Sequence, residues 1–530
     1  MVAGLRTWAF CNRLYDLSLG GSSLPPADKT PPNPWWGFAG GYGSGPADID
    51  VPAELFWRLD GVKNRIASDP QWRRHDFDWL NHRSSPEMPV EPSTRDLISH
   101  WMNHFNHWHP YIWRTDVLGD RLVNWLVNYT AITTDTDPEF IRTFNMSLNR
   151  QARHLTRWAT RPDLTADRIA GLQGSLICTV TLPTMRGHTE ASINALRDEI
   201  ETQINADGGH RDRNPEHHLF ALARLLHIRQ ALYRVQMEIP PFLQNAIDRM
   251  APMLRAYRHG DGCLSLFNGC GEGDRGFIGR ILDLSGSRGR AASSAPHTGF
   301  HRMATQRSSI IMDTGIAANS EPGEMSHAGT LAFELSVGKQ RVVVNCGGPA
   351  DAATPLAEFF RGTAAHSTLV IGDTHSSELE PAGGFGERRA RDVRAQRREI
   401  DRNVIVEAEH DGYQAIFGLQ HARSLYLAAD GADIRGEDTV IGTQSSPRYA
   451  VRFHLHPNVQ ASLTSGGNSI LLRFGRNRGW RFRASGGVLS LDDSVYFGTG
   501  RRQKTMQIVI SGTHQAPETR VKWRFSDVGR

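Results

Sequence analysis

The 530 residues predict a multidomain fold, an α-helical array followed by a β-sandwich. Three observations predict it. Apolar residues recur every three or four positions up to about residue 286, and from about residue 300 they alternate with polar ones. Between these stretches, residues 286–299 (GSRGRAASSAPHTG) form a small-residue linker. Finally, 11 of the 13 Trp lie before residue 160, as expected of two differently built halves.

Residues 1–47 read as an extended arm in which Pro25, Pro26, Pro31, Pro32 and Pro34 lead to the aromatic anchors Trp35 and Trp36. The helical domain is expected over 48–286. At 96–112, Leu97, Trp101, Phe105, Trp108 and Ile112 make one apolar stripe. Further helices are predicted at 118–131, 140–159, 167–182, 193–204, 218–235 and 242–257. Pro110, Pro138, Pro183, Pro215 and Pro240 mark their ends, because proline cannot continue the intrahelical ladder. Short connectors imply antiparallel neighbours. Over 300–530, strands are predicted at 309–312, 331–337, 341–345, 367–371, 404–408, 450–455, 470–474 and 506–510, separated by Gly and Asp turns. Many short strands without intervening helices mean a sandwich.

Composition narrows the function. With 39% hydrophobic and 22% charged residues, the chain is folded and not collagen-like. A net charge of +4 is small for this length and points away from nucleic acid. Of the 60 basic residues only 5 are Lys. The Arg excess reflects either codon usage or a surface that grips carboxylate and sulfate groups, whose geometry matches the guanidinium fork. Cys11, Cys178, Cys263, Cys270 and Cys346 are odd in number and scattered, so no disulfide framework is expected. Arg6 and Arg13 interrupt the first apolar stretch, so no secretory signal is read there. No apolar run approaches the roughly 20 residues of a membrane span. A cytoplasmic protein is expected as written, and a periplasmic one if a leader precedes it.

The most distinctive stretch is 207–218, DGGHRDRNPEHH. Gly208 and Gly209 deliver His210, Arg211 and Arg213 to a helix that begins near Pro215, with His217 and His218 in its first turn. Cations there oppose the helix dipole, so neutral imidazoles or anionic partners are required. The alternative is a polar turn with surface histidines. His327 and His366 each stand beside a predicted strand rather than in its apolar alternation. They are either site residues or hydrogen-bonded loop imidazoles. Arg452, His454 and His456 alternate with Val451, Phe453 and Leu455, giving one polar face that contacts ligand or solvent. His100, His104 and His107 share helical spacing but lack an H-E-x-x-H motif, which favours a helix flank. The 269–274 stretch (GCGEGD) lacks the Gly-Lys-Ser/Thr ending of a phosphate loop.

Several of these motifs occur together and in order: RLVNW at 121–125, DGGH at 207–210, RNP at 213–215, HGDG at 259–262 and LFNG at 266–269. They continue with His327-Ala328, FEL at 333–335, RVVVN at 341–345, RGTAAH at 361–366 and RFHLH at 452–456. This set resembles the heparinase II/III-like family of polysaccharide lyases over most of the chain. The resemblance implies an N-terminal incomplete (α/α) toroid and a C-terminal antiparallel β-sandwich, with the active site between them. It implies β-elimination on an acidic polysaccharide or oligosaccharide. A base removes the weakly acidic C5 proton, the uronate carboxylate is neutralised, and an acid protonates the departing oxygen. His210 and His217 are the expected proton carriers on the helical side, facing His327 and His366 on the sandwich. Arg121 and Arg213 are candidates for clamping the carboxylate and Gln173 for assisting them. Trp113, Arg452 and His454 are further candidate sugar contacts.

The resemblance also implies a divalent metal, zinc or calcium, held by His327, Asn345 and His366. Asn345 stands where relatives can carry Asp, and an amide oxygen is a poorer zinc ligand than a carboxylate. Other family positions differ too: His217 occupies the slot of a catalytic Tyr, Met325 that of a catalytic His, and Gln173 that of a carboxylate-binding Asn. A His can replace Tyr as base, but Met cannot transfer a proton. A non-catalytic, glycan-binding or envelope-associated protein is therefore the rival expectation, and a hydrolase with a carboxylate pair is a third.

Overall fold

Helices begin here where the sequence supplies a first-turn signal. In the computed structural model, which describes residues 18–19, 74–82, 92–161, 167–316, 326–348, 356–380, 384–443, 446–475 and 478–528, the Asp167 and Asp274 side chains cap helices by accepting from the backbone N–H of Ala170 and Phe277. Nearly all of the expected arm, 1–47, and Met325 lie outside the described residues. The main helices are α1 (Pro92–Phe105), α2 (Thr115–Val127), α3 (Tyr129–Thr133), α4 (Pro138–Trp158), α5 (Arg168–Thr181), α6 (Thr189–Gln203), α7 (Pro215–Arg234), α8 (Pro241–Ala256) and α9 (Arg275–Ser285). The predicted 96–112 helix stops at Phe105. Pro110 disfavours helical geometry at the residue before it, and the His109 ring accepts from the Tyr111 and Ile112 N–H groups instead. The predicted 118–131 helix is split at Asn128, whose side chain donates to the Asn124 carbonyl. No helix among the described residues is long and apolar enough to cross a membrane.

The chain divides into two units, residues 1–202 with 220–247, and residues 203–219 with 248–530. In the first, α2 and α5 cross at glycines. A Cβ on Gly174 would lie 2.4 Å from the Gly119 Cα, so the two backbones touch only because neither residue has a side chain. Beside them Phe77, Trp101, Trp125 and Phe144 pack with ring centroids 4.7–5.7 Å apart.

The second unit holds two antiparallel sheets. The first contains β1 (Ser294–Ala295), β2 (Phe300–Ala304), β3 (Ser308–Asp313), β4 (Phe333–Val337), β5 (Gln340–Val344), β6 (Leu369–Ile371), β11 (Arg448–Leu455), β15 (Val488–Tyr496) and β16 (Gln503–Thr513). Its order is β1-β2-β3-β4-β5-β11-β16-β15, with β6 paired to β11. The second contains β7 (Val393–Ile400), β8 (Asn403–His410), β9 (Gln420–Leu427), β10 (Asp433–Ile441), β12 (Gln460–Leu463), β13 (Ser469–Phe474), β14 (Arg478–Ser485) and β17 (Glu518–Asp527), ordered β12-β13-β14-β17-β10-β9-β8-β7. Phe333 and Phe453 of the first sheet meet Trp523 of the second at 5.5 and 4.9 Å between centroids, which makes the interior between the sheets one aromatic-rich core.

One polar chain crosses that core. Asp438 accepts from His421 Nε2, Arg423 Nε and Trp523 Nε1, each at 2.8 Å. Arg423 Nη1 then donates to the carbonyls of Leu331 and Ser367, also at 2.8 Å. Those carbonyls lie beside the loops that carry His327 and His366. A guanidinium from one sheet thus pins the candidate loops of the other.

Candidate functional site

The 207–218 stretch belongs to the sandwich unit. Gly209 fits because a Cβ would come 2.1 Å from the Thr298 hydroxyl. Asp207 accepts from the Thr298 N–H and hydroxyl, which locks the turn against 295–299. Asn214 then caps α7, its Oδ1 accepting from the N–H of Glu216 at 2.8 Å and of His217 at 3.2 Å.

The anion that this crowded helix start requires is Asp212. Its carboxylate accepts from His210 Nδ1 at 2.7 Å and from His217 Nδ1. Burial pushes its carboxyl up, but the two imidazoles hold it well below the usual range, so it is ionised. His210 is buried, and its Nε2 faces Gln203 Oε1 at 2.8 Å, so both its ring nitrogens are engaged. His217 differs. Its side chain is 53% exposed, and Asp212 fixes the tautomer with the proton on Nδ1, making Nε2 the basic atom. Of the four predicted catalytic imidazoles, only His217 is exposed, and the other three are buried.

His327 and His366 meet at 3.1 Å, His327 Nδ1 to His366 Nε2. His366 Nδ1 lies 2.8 Å from the Gly362 carbonyl, which can only accept. The proton is therefore on His366 Nδ1, its Nε2 accepts, and His327 Nδ1 donates. His327 Nε2 is left as a buried lone pair with no hydrogen-bond partner among the described residues. Burial lowers both rings' pKa values, His366 to about 4 and His327 well below its ordinary value, so both are neutral. Asn268 ties this pair to the first group. Its Nδ2 donates to the Arg213 carbonyl at 3.0 Å, and its Oδ1 accepts from the His327 N–H at 3.4 Å.

The remaining candidates have internal partners. Arg213 adopts φ +64°, and its guanidinium donates to Asp313, to the Thr298 carbonyl at 2.9 Å and to the Ile316 carbonyl at 2.9 Å. Arg121 is fully buried in the helical unit, where it donates to Gln151 at 2.6 Å and to the His75 and Ile112 carbonyls; burial lowers its pKa to about 9. Gln173 lies between His227 and Arg224, at 2.8 and 2.9 Å. Trp113 is buried and donates to the Phe105 carbonyl at 2.9 Å. Clamping a carboxylate with Arg121 or Arg213, or assisting it with Gln173, would require breaking these bonds. In the sandwich, Arg452 reaches Gln507 at 3.2 Å, and His454 is buried between Ser494 and the Ala364 carbonyl rather than on a solvated face.

The implied zinc or calcium set is not ready to hold an ion. Asn345 Nδ2 donates to the Leu266 carbonyl and its Oδ1 accepts from the Ser367 N–H. The two imidazoles face one another, and no group of three His, Cys, Asp or Glu side chains suited to a metal occurs among the described residues. The residues present do not fit the metal.

Sequence reasoning missed Asp212, Asn268 and Glu334. The last is fully buried and accepts from His259 Nε2 at 2.8 Å and from the Leu266 and Asn345 N–H groups, which ties the HGDG, LFNG, FEL and RVVVN stretches together. A signal for Asp212 was present: an acid two residues after one His and five before another.

Comparison with known proteins agrees with this architecture. The family description "Heparinase II/III N-terminus" matches residues 78–278, and "Heparinase II/III-like, C-terminal" matches residues 287–524. The crystal structure of heparinase III superposes with TM-score 0.67 at 14% identity, covering 86% of this chain and 76% of that one. Heparan sulfate lyase HepC from Pedobacter heparinus gives TM-score 0.61 at 16% identity, covering 97% and 87%. FtsZ-localized protein C of Caulobacter vibrioides is 29% identical over 474 residues, 85% of this chain and 81% of that protein. Sharing both halves of this architecture, helical toroid and antiparallel β-sandwich, the chain belongs to the heparinase II/III-like family.

Proposed function

We propose that the protein is a polysaccharide lyase that cleaves uronic-acid-containing glycans by β-elimination, with His217 as the proton-transfer group. The observation that carries this reading is the Asp212–His217 pair, in which a buried carboxylate orients a half-exposed imidazole. His217 Nε2 takes the C5 proton, and the positive charge left on the ring is stabilised by Asp212. The same proton then serves the departing glycosidic oxygen. His366 acts through His327: it fixes the ring so that the Nε2 lone pair stays unprotonated, and it is a positioning residue. His210 shares Asp212 and keeps the carboxylate ionised.

The test is ultraviolet absorbance of the unsaturated product on a panel of uronic-acid polymers. His217→Ala is expected to lower turnover by about two orders of magnitude or more, and His366→Ala to lower it strongly through lost positioning, both with the fold retained. Full activity in both variants on a cleaved substrate contradicts the assignment.

A second reading is favoured by the likeness to FtsZ-localized protein C and by the internal partners of Arg121, Arg213 and Gln173: a non-catalytic acidic-glycan-binding or envelope-associated protein. It predicts binding without any unsaturated product.

A further inference from the structure

The outer face of the second sheet carries a basic row that the chemistry above does not use. In register across four strands, Tyr426 faces Arg435, Arg435 faces Arg524, and Arg524 faces Arg483. Three arginines thus stand directly opposite one another on neighbouring strands, whose backbones lie about 5 Å apart. Like charges so placed cost stability. Asp433 offsets only part of it, pairing with Arg435 and with Arg524 at 2.6 Å each. Arg483 is exposed, and its side chain makes no ion pair or hydrogen bond among the described residues. A groove of about 440 Å³ runs over this row, lined by Arg435, Arg483, Arg524 and Lys522 against one carboxylate, Glu437.

We propose that this groove is a second binding site for an acidic polysaccharide chain, carried by the opposite sheet from the loops of His327 and His366. The inference rests on the reading that the protein handles acidic glycans and adds to it a place where uncleaved polymer is held. Arginine forks match uronate carboxylates and sulfates. Ser424, Ser485 and Glu437 line the same groove and suit the hydroxyls of the intervening sugars, while Tyr426, 5.4 Å below the Arg435 guanidinium, closes one end. A nucleic acid would bring a phosphate on every residue against Glu437 and Asp433 and would find one aromatic ring for stacking, which favours the glycan.

The experiment measures binding of the full chain to immobilised heparan sulfate and polygalacturonate, with a single-stranded oligonucleotide of matched charge as the competing probe. Arg483→Glu is expected to weaken glycan binding about tenfold or more without lowering the melting temperature, because it relieves the facing charges. The proposal is overturned by wild-type affinity in Arg483→Glu, by preference for the oligonucleotide, or by no retention on either glycan. Should Arg483→Glu fail to fold, Arg483→Ala gives the same reading. Binding that depends on Arg483 with no unsaturated product removes the lyase reading and leaves this site standing.

Discussion

Asp212 sits between two imidazoles, and burial alone would push its carboxyl toward the neutral form; His210 and His217 reverse that. Its charge therefore depends on the same rings whose chemistry it directs. Asp212→Asn keeps the shape and removes the charge, and is expected to lower kcat about 10- to 100-fold with little change in KM. A drop in KM-related binding alone, with kcat intact, contradicts this role. At this scale the sequence was partly legible. The DGGH…NPEHH run exposed His210 and His217, yet a linear reading cannot say which donors turn inward. Arg121, Arg213 and Gln173 look like ligands on polarity alone, whereas their partners, the His75, Ile112 and Thr298 carbonyls, Asp313 and Arg224, lie 9 to 100 positions away.

Elements follow from spacing where one face is apolar. Helices α4 to α8 begin and end close to the predicted positions, because Pro138, Pro215 and the Asp167 cap are local signals, whereas α9 was not predicted. Strands such as β10 and β17 were missed. In β17, buried Val521, Trp523 and Phe525 alternate with Arg520, Lys522 and Arg524, the two-residue period of a half-buried strand, so the signal was present in the sequence. The α2–α5 crossing was invisible, since Gly119 and Gly174 meet only in three dimensions. Gly174→Ala would place its Cβ 2.4 Å from the Gly119 Cα, forcing the helices apart. A loss of about 2 kcal/mol or more is expected, as in other overpacked cores, read as a lower urea midpoint. An unchanged midpoint contradicts the close crossing.

Across the whole molecule, neutral buried histidines make the fold sensitive to acid. Burial lowers the pKa values of His154 and His227 to about 3 and of His218 to about 4, from an ordinary 6.5. As the pH falls below 6.5 the unfolded chain takes up these protons and the folded chain does not. Stability is therefore full above that value and is lost as the pH drops toward 4, by several kcal/mol in total, on the order of 1–3 kcal/mol per ring. Urea midpoints by Trp fluorescence, measured from pH 7 to about 4, are expected to fall steadily; a flat profile contradicts the buried neutral rings. The two-part architecture was legible from the change of hydrophobic period, but the membership of residues 203–219 in the sandwich unit was not, because it rests on Asp207 with Thr298 and Asn214 with Asn268. The mass of the products formed from a uronic-acid polymer tests the central claim most directly. Elimination leaves each new non-reducing end one water lighter than hydrolysis does, and that deficit is expected with the wild type and lost with His217→Ala. Products of hydrolytic mass, or intact polymer after prolonged incubation with every uronate glycan tried, contradict it.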